Sequence, residues 1–406
     1  MSHSTSNSLL TKATLLLVST LTVMSGATIA PSLPAMQSHF DNVANSEFWV
    51  RLVLTIPALF IVIGSPIAGQ LVDRIGRKPL LLGAAILYGF AGSSGLILNS
   101  VFTILIGRAF LGLAVAGVMV SATTLIADYY RGDARADFMG LQAAFMGLGG
   151  VLFLSVGGFI ADLNWRFPFS IYLFSWLLIP GVLFTLYEPS RTKTINADIT
   201  APVEQLPIKL LVLIYASVML QQIVFYLIPV QLPFYLQQLT GANASQTGLA
   251  IAFSILFSAF ASMNYGRVKK RLSFIKILAI AFGLIGLGYV GIGVVSSYWL
   301  ILLVLIPTGF GLGLMMPNLN VWTSNEVPNA LRGRALGWLT TFMFLGQFLS
   351  PIISQPIKQS FGMTATYGSV GVLLVVLAVL LWLYKKQICH AVNSKVGTST
   401  AIDRSF

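Results

Sequence analysis

An all-α membrane protein of twelve transmembrane helices in two six-helix bundles is the fold class this sequence predicts, and three observations predict it. Of 406 residues, 56% are hydrophobic and only 9% charged, against roughly a quarter charged in soluble domains. Apolar runs recur along the whole chain, each supplying the roughly 20 residues that about 30 Å of hydrocarbon demands. The basic residues, finally, collect on one side of those runs.

The runs cover residues 13–36, 49–71, 79–99, 101–128, 138–161, 166–187, 208–237, 245–265, 273–296, 298–322, 335–357 and 364–385, giving spans 1 to 12. Helices are expected because backbone amides in lipid must be satisfied within the segment, and the runs lack the alternation of barrel strands. Lys12 ahead of the first run has the look of a signal peptide, but the apolar run continues past Gly26 and is expected to remain as span 1.

If the spans alternate in direction, every Lys and Arg lies at one face except Arg51, Arg166 and Lys358 at the other and Arg108 inside span 4. The positive-inside rule then places both termini in the cytoplasm, for a multi-pass protein of a bacterial-type inner membrane. A formal net charge of +12 therefore reads as topology and attraction to anionic lipid, not as a nucleic-acid footprint. The single cysteine, Cys389, rules out an intramolecular disulfide and a cysteine-based metal site.

The longest polar stretch between spans, Glu188 to Pro207, divides the chain into halves. The expected organisation is a bundle over 1–187, a cytoplasmic linker over 188–207, a second bundle over 208–386 and a cytoplasmic tail over 387–406. Internal echoes support two related halves. SPIAGQLVDRIGRK (Ser65 to Lys78) is answered by SAFASMNYGRVKKR (Ser258 to Arg271), and Asp128 at the end of span 4 by Glu326 at the end of span 10. Each of those acids precedes an Arg-Gly pair, Arg131-Gly132 and Arg332-Gly333. Paired repeats are a common basis for alternating access.

The loop between spans 2 and 3 reads GQLVDRIGRKP, Gly69 to Pro79. With this loop the chain resembles the major facilitator superfamily over almost its whole length, since Gly, three residues, Asp-Arg, one residue, then Gly-Arg-Lys is that family's loop 2-3 signature. Gly69 is expected to permit close helix approach, Gly76 a sharp turn, and Pro79 the start of span 3. Asp73 is placed to accept hydrogen bonds or face a helix N-terminus, and Arg77 offers its donors to a carboxylate such as Asp128. The resemblance implies that Gly69, Asp73, Arg74, Gly76, Arg77, Lys78 and Asp128 form a conformational latch on the cytoplasmic side. The alternative is simple anchoring of a basic loop. Gly266 stands where the second half would carry the corresponding Asp.

Arg108 inside span 4 is followed four residues later by Gly112, matching the family's span 4 signature with Leu111 in place of a glutamine-like residue. The resemblance implies proton transfer or contact with an anionic group, facing the interior because a buried arginine in lipid is costly. Snorkelling to the interface is the competing reading. Span 5 is glycine-rich (Gly140, Gly147, Gly150, Gly157, Gly158), but Phe153-Leu154 stand where the family's antiporter signature has Gly-Pro.

Spans 1, 4, 7 and 10 line the cavity in the family. The candidates here are Thr22 and Ser25, Gln221, Gln222, Phe225 and Tyr226, Asn318 and Asn320, with Trp338 and Phe342 nearby. The pairs share helix faces. They suit an amphiphilic, largely neutral solute, or else serve as helix-packing hydrogen bonds.

All twelve acidic residues sit at span ends, loops or tails, the three histidines lie outside spans, and no Walker sequence occurs. No cofactor, metal or direct ATP use is therefore expected. The resemblance implies a monomeric, non-enzymatic secondary transporter that exports a drug, siderophore or metabolite by alternating access, with protons as the coupling ion. A facilitator or importer of a neutral metabolite such as a sugar is the alternative. A membrane enzyme or receptor has no assignable catalytic constellation or soluble domain behind it.

Overall fold

The computed structural model describes residues 8–189 and 207–387. Most of the expected linker, and the tail with Cys389, lie outside the described residues. Among the described residues every regular element is helical. Hydrocarbon offers no partner for a backbone N–H or C=O, so only a helix satisfies such long apolar segments internally.

Eleven helices among the described residues are long and apolar enough to cross a membrane. They begin with α1 (Leu9–His39), α2 (Ser46–Ile75), α3 (Arg77–Leu96), α4 (Val101–Tyr129), α5 (Gly132–Leu163) and α6 (Phe167–Thr185). The second half supplies α7 (Ile208–Thr240), α8 (Ala244–Lys269), α9 (Phe274–Val294) and α10 (Tyr298–Glu326). The last, Leu331–Leu383, has 53 residues, about 80 Å of helix against about 30 Å of hydrocarbon. It is broken at Gly362, whose φ of 79° and ψ of 171° are not helical. Two crossings result, α11 over 331–361 and α12 over 363–383, and twelve spans are recovered. A positive φ of this kind is open to glycine at no steric cost.

Two helices are irregular where this bears on function. Regular α-helix in α1 ends at Ala27 and resumes through a 3-10 turn at Ala30–Ser32, and α6 opens as a 3-10 helix over Phe167–Leu173. In α2, Pro57 and Pro66 lie inside the helix and leave carbonyls one turn earlier without their usual donor.

The chain groups into two compact units, Met1–Arg191 with Tyr226–Ala252, and Thr192–Phe225 with Phe253–Phe406. Each has the same tyrosine device. In the first unit, buried Tyr88 of α3 donates to Leu21 O of α1 at 2.8 Å, its ring centroid 5.8 Å from that of Tyr172 in α6. In the second, buried Tyr289 of α9 donates to Val224 O of α7 at 2.5 Å, 5.5 Å from the ring of Tyr367 in α12. The interplanar angles are 54° and 56°. Spans 3 and 6 relate to span 1 as spans 9 and 12 relate to span 7.

Glycine contacts repeat as well. A Cβ on Gly112 of α4 would collide with Pro57 O of α2, and one on Gly309 of α10 would meet Ser254 O of α8 at 2.5 Å. In α5 the close approaches fall at Gly149, against Thr20, at Gly157, against Thr28 O, and at Gly158, against Ala244 O, whereas Gly140 faces open space. A Cβ on Gly69 would also meet nothing within 4 Å, so the tight approach expected there is absent from this structure. Exposed rows such as Ile106 and Phe110 of α4 or Val372, Val376 and Val379 of α12 are the surface that lipid covers.

The repeated tyrosines give a stability prediction. Tyr88→Phe and Tyr289→Phe each remove one buried hydrogen bond, worth about 1 kcal/mol. Both variants are expected to lower the apparent thermal midpoint in detergent by similar small amounts; an effect in only one half would break the equivalence.

Candidate functional site: a buried arginine and a capped loop

Arg108 is wholly buried in α4, which settles its direction against snorkelling. Its Nε donates to Val53 O at 3.0 Å and its Nη2 to Ser25 O at 2.7 Å. Both acceptors are carbonyls that helix breaks release. Val53 lies four residues before Pro57, which has no N–H to return, and Ser25 lies in the last regular turn of α1 before its interruption. Gly112, one turn on, lets α4 come close enough to α2 for the first of these bonds.

The guanidinium stands 5.1 Å from the ring centroid of Tyr172, a cation–π geometry. No acidic side chain pairs with Arg108 among the described residues, and Nη1 is buried without a hydrogen bond. Tyr226, in the same compact unit, packs its hydroxyl where a Cβ on Gly26 would stand, at 2.8 Å. Ser25, Arg108 and Tyr226 are thus gathered around α1. A buried cation held by dipoles alone retains an unmet demand for negative charge.

The loop signature is built differently from the simplest expectation. Arg77 Nε pairs with Asp128 Oδ2 at 3.0 Å, as the sequence predicted, with both side chains partly exposed. Asp73 and Arg74 are exposed. Gly76 adopts φ 103° and caps α3 without a side chain of its own, so the first N–H groups of α3 need an acceptor from elsewhere. Glu188 supplies it, accepting from Arg77 N at 2.9 Å and Lys78 N at 2.7 Å. A Cβ on Gly76 would lie 2.6 Å from the Glu188 carboxylate, so glycine is required for the approach as well as for the turn.

Lys78 returns the bond, donating through Nζ to Leu183 O and Leu186 O at the end of α6, both at 2.7 Å. Beside them Tyr129 donates to Tyr187 O at 2.5 Å and stacks on the Tyr187 ring at 4.3 Å. Carboxylate at a helix N-terminus and ammonium at a C-terminus both suit the peptide dipoles. Neither Glu188 nor the tyrosines stood out in the sequence. The one available signal was a helix start with no capping side chain nearby.

The remaining candidates divide. Gln221 and Gln222 of α7 are buried; the Gln221 carbonyl makes no hydrogen bond, and Gln347 of α11 reaches Gln222 Oε1 at 3.5 Å. Phe342 stacks on Tyr215 at 5.2 Å, with half-exposed Trp338 alongside. Asn318, however, is fully buried, donating to Phe274 O at 3.0 Å and accepting from Tyr265 at 3.3 Å. It is a helix-packing residue joining α8, α9 and α10. Asn320 bonds Met316 O of its own helix, and Thr22 and Ser25 likewise bond carbonyls of α1. No group of metal-ligating side chains occurs among the described residues.

Twelve spans in two units of repeated packing, one of which buries an ionically unpaired arginine, define a multi-pass membrane protein. The Major Facilitator Superfamily model matches residues 15–351 and 214–399, and the chain belongs to that family. It is 25% identical to the class E tetracycline resistance protein of Escherichia coli, over 90% of this chain and 93% of that protein. Against the quinolone resistance protein NorA of Staphylococcus aureus strain MRSA252 it is 24% identical, over 87% of this chain and 92% of that one. The fold is also that of the xylose transporter XylE of E. coli in its inward-open conformation, with a TM-score of 0.73 at 16% identity over 91% of this chain and 94% of that one.

The capping arrangement makes a local prediction. Glu188→Ala removes an N-terminal acceptor worth about 1 kcal/mol, so amide exchange at Arg77 and Lys78 is expected to speed about fivefold. Hydrogen exchange with peptide-level readout checks it, and unchanged exchange would deny the cap.

Proposed function

We propose that this protein is a secondary active exporter of small amphiphilic solutes, working by proton-coupled antiport and alternating access. Its halves would be residues 1–187 and 208–386, joined by 188–207 and followed by the tail 387–406. The basic face lies in the cytoplasm of a bacterial-type inner membrane, where the positive-inside rule puts it, with both termini on that side. The chain works as a monomer.

The observation that carries the reading is Arg108, fully buried, held by two backbone carbonyls, with its Nη1 amino group making no hydrogen bond. Such a group attracts negative charge, whether from a substrate or from a carboxylate that changes protonation during the cycle. Export rather than import is favoured by the relatives that cover nearly the whole chain, which are named for resistance to tetracycline and quinolones. The neutral amides of Gln221 and Gln222 and the aromatic surface of Tyr215, Phe342 and Trp338 suit a solute with apolar and hydrogen-bonding parts. The loop signature acts as the latch, Arg77 and Asp128 locking the start of α3 to the end of α4 while Asp73 is left exposed to engage a helix end elsewhere in the cycle.

A second reading, a facilitator or importer of a neutral metabolite such as a sugar, is favoured by one observation. Acidic side chains occupy span ends and loops, leaving no carboxylate in mid-span as a proton carrier. Proteoliposomes loaded with tetracycline or a fluorescent quinolone separate the two. Flux driven by an imposed pH gradient supports antiport, and flux indifferent to the gradient supports the facilitator.

Two variants test the roles. Arg108→Ala is expected to reduce gradient-driven transport by at least about 100-fold, because removing a buried charge leaves two carbonyls unpaired. Full activity would dismiss the arginine from the mechanism. Asp73→Asn is expected to insert normally yet slow turnover, so an unchanged rate would remove Asp73 from the latch.

A further inference from the structure

The face opposite the basic loops carries a second ionic assembly. Arg51 in the first turns of α2 is fully buried. Its Nε donates to Gln231 Oε1 of α7 at 2.8 Å, its Nη1 to Gln37 Oε1 of α1 at 3.1 Å and to Glu47 O at 2.7 Å. Nη2 pairs with the Glu47 carboxylate at 3.2 Å. The guanidinium also lies over the Phe234 ring of α7, 3.9 Å from its centroid. Two of these partners belong to α7, 180 residues away for Gln231.

A second carboxylate engages the next helix. Asp162, at the end of α5, accepts from Ala244 N at 2.8 Å and from Ser245 N at 3.3 Å. Those amides open α8, which already has its own reciprocal cap between Asn243 and Gln246. Asp162 is therefore an additional anion at that N-terminus, supplied from another helix. One turn before Asp162 the helices meet backbone to backbone. A Cβ on Gly158 would lie 2.7 Å from Ala244 O, and one on Gly248 would lie 2.7 Å from Leu154 O.

We propose that Arg51 and Asp162 form a latch that holds the far half of α7 and the start of α8 against α1, α2 and α5, and that its release opens this face during transport. The contact is made to part. Smooth glycine surfaces separate without leaving interlocked side chains, and directional bonds from two charged groups hold them meanwhile. Each charge survives release, because both sit at span ends where water replaces the lost partners: Asp162 is exposed already, and Arg51 keeps Glu47 and Gln37. This latch rests on the alternating-access reading and supplies the counterpart of the loop signature on the opposite face.

The test needs neither substrate nor gradient. In a Cys389→Ser background, Ser32→Cys is a near-isosteric probe at a position 1% exposed, beside Pro31, which packs against Gly248. Its labelling by a membrane-impermeant maleimide from outside intact cells reads how often this face opens. Arg51→Ala and Asp162→Ala are each expected to raise the labelling rate about fivefold or more, and Arg51→Lys to raise it less than Arg51→Ala. Asp162 is exposed, so its variant folds even where loss of Arg51 impairs production. Unchanged labelling in Asp162→Ala and in the folded Arg51 variants overturns the latch. A protein that fails to export tetracycline but shows these labelling changes keeps the latch and loses the export reading.

Discussion

Every backbone N–H and C=O in a lipid-embedded chain must find a partner inside the protein, and the few charged side chains are placed where the helices fail to provide one. Arg108 takes the carbonyls released at Pro57 and at the interruption of α1. Lys78 takes the last carbonyls of α6, Glu188 the first amides of α3 and Asp162 the first amides of α8. Arg166 does the same at the end of α3, donating to Gly95 O and Leu98 O. Ion pairing is the minor use of charge here. Helix ends and breaks are the fixed sites, and the charged residues follow from them.

This constraint explains how much of the architecture was legible. Span number and helical form were readable because hydrocarbon thickness and backbone satisfaction leave one solution for runs of this length. The merging of α11 and α12 into one 53-residue helix broken at Gly362 is a matter of junction geometry that composition does not encode. The internal repeat was visible in the loops but stronger in the core. Tyr88 with Tyr172, and Tyr289 with Tyr367, are set by contacts across a half, and no local pattern singles out those four tyrosines among thirteen.

The site was legible where chemistry is local and obscure where it is not. Arg108 declared itself because an arginine in an apolar run has few destinations, and Arg77 with Asp128 because the loop signature supplied the first and the echo at the end of span 4 the second. Glu188 reaches its partners across 111 and 110 residues, and Arg51 reaches Gln231 across 180. Asn318 shows the reverse: a polar residue beside Pro317 on a span face reads equally as solute contact or helix packing, and its buried amide bonds to α8 and α9. Spacing places a residue on a face. Only the packed neighbours decide whether its donors are already spent.

The two halves share a frame but not a charge distribution. Gly112 and Gly309 occupy matching contacts, which sets Arg108 opposite buried Leu305, just as Asp73 is matched by Gly266 in the loop echo. A buried arginine needs released carbonyls, and α2 provides one through Pro57; α8 contains no proline, so its carbonyls remain committed to the helix. The position matching Arg108 thus faces a helix with no proline-released carbonyl and carries an apolar side chain. In the first half, Arg108 is matched to released backbone; in the second, prolines fall in α7, α10 and α11 instead, and amides and aromatic rings, rather than charge, are buried among the described residues.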